Sequence, residues 1–94
     1  MPFANRRSWT RQLRWAREGF ERRQKPFGAE DLDVLQSMNG FGRVLTVAGK
    51  YDQAEKMLRQ TVKRRRKVMG EKHAYTLGSI ANFAQVYESQ QKFD

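Results

Sequence analysis

The sequence predicts an all-α protein: antiparallel helix-turn-helix units stacked side by side, about four helices in a single small domain. Two observations carry this expectation. The chain repeats at a spacing of 42 residues, since Gly28 falls on Gly70, Leu35 on Leu77 and Phe41 on Phe83. Inside each repeat the apolar residues recur every three or four positions, the period of a helix face and not of a strand.

The internal match is extensive. Ser37 falls on Ser79, Met38 on Ile80, Val44 on Val86, Lys50 on Lys92, Tyr51 on Phe93 and Asp52 on Asp94. In the other direction, Arg17, Arg22 and Arg23 lie over Arg59, Arg64 and Arg65. Periods of this length mark architectures in which each unit buries its apolar face against its neighbours.

The first helix is expected over residues 7–25, where Trp9, Leu13, Ala16 and Phe20 share one face. Pro26 argues for a break there, because proline disfavours a helical residue before it, and the loop Phe27-Gly28-Ala29-Glu30 follows. The second helix covers 31–47, with Leu35, Met38, Phe41 or Gly42, and Leu45 along one face. Gly49 is its natural stop, since glycine takes the left-handed conformation at little cost. The third covers 51–67, with Tyr51, Ala54, Met57 or Leu58, Thr61 and Val62, and the loop Met69-Gly70-Glu71-Lys72 repeats the earlier one. The fourth covers 73–89 through Leu77, Ile80, Phe83 or Ala84, and Tyr87. A turn without glycine at Ser89-Gln90-Gln91-Lys92 would close it, and Phe93 would open a fifth helix. Helices of about 17 residues are about 25 Å long, and such short connections force antiparallel neighbours.

Composition narrows the chemistry. The chain has 94 residues, a mean hydropathy of -0.90 and a net charge of +9, yet apolar residues recur throughout and point to a small helical core. Without cysteine, disulfides and thiolate metal sites are excluded, and the single histidine, His73, argues against a histidine-rich metal site. No apolar run approaches the roughly 18 residues of a membrane span. The start, Met1-Pro2-Phe3-Ala4-Asn5-Arg6-Arg7, lacks the apolar stretch of a secretory signal, and its arginines belong to a helix of the fold. A cytoplasmic location, with the nucleus as alternative, is the expectation. Positive charge is blocky: residues 1–26 and residues 59–72 each carry a net +6.

Several stretches resemble the tetratricopeptide repeat, in the 42-residue form known from kinesin light chains. Gly49-Lys50-Tyr51-Asp52-Gln53-Ala54-Glu55 is similar to the family's G-K-Y-x-x-A-E turn, the strongest single signal. Gly70-Glu71-Lys72-His73-Ala74-Tyr75-Thr76-Leu77 resembles its G-x-x-H-P-D-T-L opening, with alanine in place of proline. Met38-Asn39-Gly40-Phe41-Gly42 and Ile80-Ala81-Asn82-Phe83-Ala84 correspond to its L-N-N-L-A stretch. The resemblance divides the chain into a second helix of a truncated repeat (7–26), a full repeat (27–68) and a partial one (69–94). It implies a short right-handed α-solenoid whose first helices line a concave groove. Gly42, Ala54 and Ala84 would let paired helices approach closely, while Tyr51, Leu58 and Tyr87 would fill the spaces between pairs. Trp9 takes the place of Tyr51, and Gln12 stands where Ala54 would be expected.

The groove candidates are Asn39 with Arg43, and Asn82 with Gln85, each pair one helical turn apart. An amide offers both a donor and an acceptor to the backbone of an extended peptide, as the resemblance implies for these asparagines. His73 is read as a helix-start residue. Lys63, Arg64, Arg65, Arg66 and Lys67 suggest a nuclear-import or nucleic-acid patch, but five successive cations on a helix point in every direction and one must approach the core. A solvated helix end, complementing the negative C-terminus of the helix dipole, is the preferred reading. Trp9 and Phe20 are assigned to the core, and Trp15, off their stripe, to the surface.

The expected function is a scaffold binding a protein or peptide, acidic ones favoured by the charge. The alternative is a basic helical protein binding nucleic acid or another polyanion. No phosphate loop, nucleophile–base pair or metal-ligand set is present, which argues against an enzyme and against any cofactor. A repeat array generally needs about three units, so a fragment of a longer protein is the preferred expectation, and cover of the exposed end at Phe83, Tyr87 and Phe93 by self-association or a partner is the alternative.

Overall fold

A computed structural model describes residues 6–93, with side-chain surroundings for residues 10–91. The side chains of Trp9 and Phe93, assigned above to the core and to an exposed end, lie outside the described residues. Four helices follow in order: α1 (Arg6–Phe27), α2 (Leu32–Val47), α3 (Tyr51–Met69) and α4 (Ala74–Phe93), with no strand among the described residues. Each helix packs on the next, and α2 also packs on α4. This is an all-α stack of helical hairpins.

Local chemistry sets the boundaries. Asp31 caps α2, its carboxylate accepting from the backbone N–H of Asp33 at 2.9 Å and of Val34 at 3.2 Å. One period later His73 does the same for α4, its Nδ1 accepting from the Tyr75 N–H at 3.0 Å. α2 ends in a Schellman arrangement around Gly49 at φ 82°: Lys50 N–H bonds Leu45 O and Gly49 N–H bonds Thr46 O. Asp31→Ala is expected to cost about 1 kcal/mol, which thermal melting would show as a drop of roughly 4–8 °C.

Two expected boundaries need correction. The break at Pro26 does not form: α1 runs through it to Phe27 and stops at Gly28, whose φ of 87° and N–H bond to Gln24 O close the last turn. At the end of a helix the ring costs one hydrogen bond only, and the glycine supplies the stop. The turn at Ser89–Lys92 is also absent, because α4 continues to Phe93. With no glycine to terminate it and good helix formers at Gln90, Gln91 and Lys92, nothing interrupts the ladder, and the fifth helix does not begin.

The core sits between α2 and α3. Leu35, Met38, Leu45, Ala54 and Leu58 are fully buried there, with Leu13 and Phe20 of α1 and Val86 and Phe83 of α4 closing it on either side. Gly42 permits the close approach. A Cβ at that position would stand 2.5 Å from Leu58 Cδ2 and 2.6 Å from Cγ, so only hydrogen fits. The second repeat departs from expectation. Ala84 and Tyr87, the counterparts of Gly42 and Leu45, are exposed, because no described helix covers that side of α4.

Candidate functional site

The α1–α2 and α3–α4 junctions are built alike. Arg17 stands over the Phe41 ring at 6.0 Å, and Arg59 over the Phe83 ring at 5.9 Å. Arg23 Nη1 donates to Ser37 Oγ at 2.5 Å, and Arg65 Nη1 to Ser79 Oγ at 2.7 Å. All four positions of the first junction recur one period later in the second. The 42-residue spacing is therefore a spacing of contacts as well as of letters.

At the second junction a polar cluster joins the first helices of the two units. Asn39 Oδ1 accepts from Asn82 Nδ2 at 3.1 Å and from the Ser79 hydroxyl at 3.3 Å. That leaves the Asn39 amide N–H₂ and the Asn82 carbonyl oxygen for other partners. Both residues are half-buried. Arg43 and Gln85 are exposed and lie one period apart, one helical turn beyond Asn39 and just under one beyond Asn82. The structure thus brings the two asparagines together and leaves Arg43 and Gln85 exposed.

Arg65 is the residue that sequence reasoning missed as an individual. It is only 3 % exposed, and Nη2 bonds Gln36 Oε1 at 2.9 Å while Nη1 also reaches Tyr75 O at 3.0 Å. Its guanidinium stands 5.3 Å from the Tyr75 ring centre, and its buried Nε has no partner. Burial pushes its pKa below the usual arginine value, with the electrostatic effect of Tyr75 opposing. A guanidinium remains charged under such a shift. It ties α3 to α2 and to α4, and so fixes the spacing of the helices that carry the asparagines. The signal that could have found it was present: Arg23 and Ser37 share the period of Arg65 and Ser79.

The rest of the basic run is dispersed. Lys67 pairs with Glu30 at 2.7 Å, Arg66 approaches Glu71 at 3.5 Å, and Arg64 lies against the Met38 sulfur at 3.3 Å. Lys63 is exposed. Arg66 and Lys67 occupy the last turn of α3, where cations complement the helix dipole. Trp15 is 66 % exposed, matching its place off the apolar stripe, and Phe20 packs on Phe41 with ring centres 6.4 Å apart. Among the described residues no group of acids and histidine is arranged to hold a metal ion, and no helix is long and apolar enough to cross a membrane.

Residues 34–75, which run from α2 through α3 to the start of α4, match the family model of the tetratricopeptide repeat. The match supports a tetratricopeptide repeat. It covers one period and includes Asn39, Arg43, the Gly49 turn and the whole basic run. No curated protein and no solved structure matches the chain significantly. Tetratricopeptide repeats generally mediate protein–protein interaction.

Proposed function

We propose that this chain is a non-enzymatic scaffold whose α2–α4 surface binds an extended peptide or a segment of a partner protein. The repeat is read as the 42-residue kind found in kinesin light chains, with residues 7–26 as the second helix of a preceding unit, 27–68 as a full unit and 69–94 as a partial one. The observation that carries the proposal is the Asn39–Asn82 bond. It leaves the Asn39 amide N–H₂ and the Asn82 amide oxygen outside that bond, a donor and an acceptor of the kind that an extended peptide backbone takes. Arg43 beside them supplies a cation for an acidic side chain, and Gln85 a neutral polar contact one period on. With only two helices lining it, the surface is shallow, and affinity should be modest.

Titration of a panel of acidic, extended peptides by calorimetry tests this reading. Asn39→Ala is expected to weaken the best binder by about 5–15-fold, the worth of one or two hydrogen bonds. Raising salt should weaken it further in the native chain and less in Arg43→Gln. Binding indifferent to Asn39, Asn82 and salt would remove the surface from the account. Retention of nucleic acid at physiological salt, with no peptide bound, would replace it with polyanion binding.

A further inference from the structure

We infer that copies of this chain associate head to tail, α4 of one copy packing on α1 of the next as α2 packs on α3 within the chain. The inference starts from the repeated junctions. Because Arg17–Phe41 and Arg23–Ser37 recur as Arg59–Phe83 and Arg65–Ser79, α1 is the structural counterpart of α3, and α4 of α2. α2 and α3 cover each other. Among the described residues α1 and α4 each lack that partner, and within one chain their backbones do not pack on each other. Each copy therefore presents the two halves of one hairpin at its opposite ends.

The uncovered faces correspond residue by residue to the covered ones. In α2, Leu35 and Leu45 are 0 % and 1 % exposed; their counterparts Leu77 and Tyr87 are 53 % and 42 % exposed. On α1, Gln12 and Ala16 stand where α3 has the fully buried Ala54 and Leu58. α1 and α2 leave between them a groove of about 380 Å³ that includes Trp15, Ala16, Gly19, Ser37 and Gly40. One period later the counterpart of that groove is occupied: Asn39 of α2 bonds Ser79 and Asn82 there, and Gln36 bonds Arg65. The occupant the architecture calls for is thus a helix of α2 type, and α4 is one.

Size and charge agree with this pairing. Gly42 meets Leu58 so closely that no Cβ fits. Between copies, Ala84 would stand for Gly42 and Ala16 for Leu58, so the methyl gained on one side is matched by the side chain lost on the other. Leu45 and Ala54 share the core cluster, and their counterparts Tyr87 and Gln12 each bring a polar end to the same place. Residues 6–27 carry a net +6, while residues 74–93 are neutral, so α1 against α1 opposes like charges and α4 against α1 does not. Arg43 and Gln85 lie off the faces used, and peptide binding does not depend on this contact. Such an interface is heterologous and does not close on a dimer.

Sedimentation of the chain over a concentration series tests the inference, with two blocking variants. Gly19→Arg fills the α1 groove, where an added Cβ meets nothing within 4 Å, and Ala84→Arg caps exposed α4. The native chain should grow beyond dimer as concentration rises. Each variant alone should lose self-association, and an equimolar mixture of the two should give a one-to-one dimer and nothing larger. A native chain that stays monomeric overturns the inference. Gly19→Arg alone forming dimers shows α4 on α4, Ala84→Arg alone forming dimers shows contact elsewhere, and either result overturns it too. Should a variant lose helicity by circular dichroism, Trp15→Arg and Tyr87→Lys make the same test from positions that are already exposed.

Discussion

Gly42→Val is expected to destabilise the chain by about 2–3 kcal/mol, lowering the melting temperature by roughly 10 °C or more. The position has no room: its Cβ would lie 2.5 Å from Leu58 Cδ2, and Leu58 is fully buried and has nowhere to retreat. Gly42→Ala should cost less, because alanine regains about 1 kcal/mol of helix propensity over glycine. Leu58→Ala alone removes the side chain that fills the space and should cost about 2–5 kcal/mol. The decisive measurement is the double variant Gly42→Ala with Leu58→Ala. The two changes occupy and vacate one volume, so the pair should be less destabilised than the sum by about 1 kcal/mol or more. Strict additivity in urea denaturation would show that the two residues do not compete for the same space, and the packing account of the hairpin would fail.

Much of the fold was legible because the determinants are local and periodic. Gly49 stops α2 and Gly70 follows α3 where the sequence pattern places them, and the apolar stripes of α2 and α3 are the stripes that meet. The errors arose where a local rule competed with a neighbour. Pro26 disfavours a helical Lys25, yet α1 reaches the glycine two residues beyond the proline, since a helix end tolerates what its middle does not. At Ser89–Lys92 the repeat suggested a turn, but the counterpart of Gly49 is Gln91, and without the glycine the helix continues. In the candidate site, periodicity pointed to helix faces and not to contacts. Asn39 falls on Ala81 and Asn82 on Gly40, so the bond between the two asparagines joins residues that are not equivalent, and no pattern of single letters marks it. That one of the five successive cations approaches the core follows from helix geometry; the shared period of Arg23–Ser37 and Arg65–Ser79 points to Arg65, while its bond to Gln36 is marked by no pattern in the sequence.

Arg65→Ala is expected to cost about 2–4 kcal/mol, a large part of the roughly 5–14 kcal/mol available to a chain of this length, whereas Arg65→Met should cost less than about 1 kcal/mol. The two variants separate the stem from the charge. Alanine leaves a cavity at a position 3 % exposed, in the joint between three helices. Methionine fills most of that volume and removes a desolvated cation that has no carboxylate among its bonded partners. Its loss strands no buried group. The Tyr75 carbonyl lies in the first turn of α4 and is served by the helix ladder, the Ser79 hydroxyl still bonds Asn39, and Gln36 is exposed to water. Equal destabilisation by alanine and methionine in denaturant titration would show that the charge, and not the packing, holds the joint. The methionine variant also isolates the role of the arginine in the binding surface. Its guanidinium is what bonds Gln36 of α2 and Ser79 of α4 at once, so without it the spacing between Asn39 and Asn82 is held by their own bond and the Ser79–Asn39 bond. Peptide affinity should therefore fall in Arg65→Met while the melting temperature holds, a separation that a merely space-filling side chain would not produce.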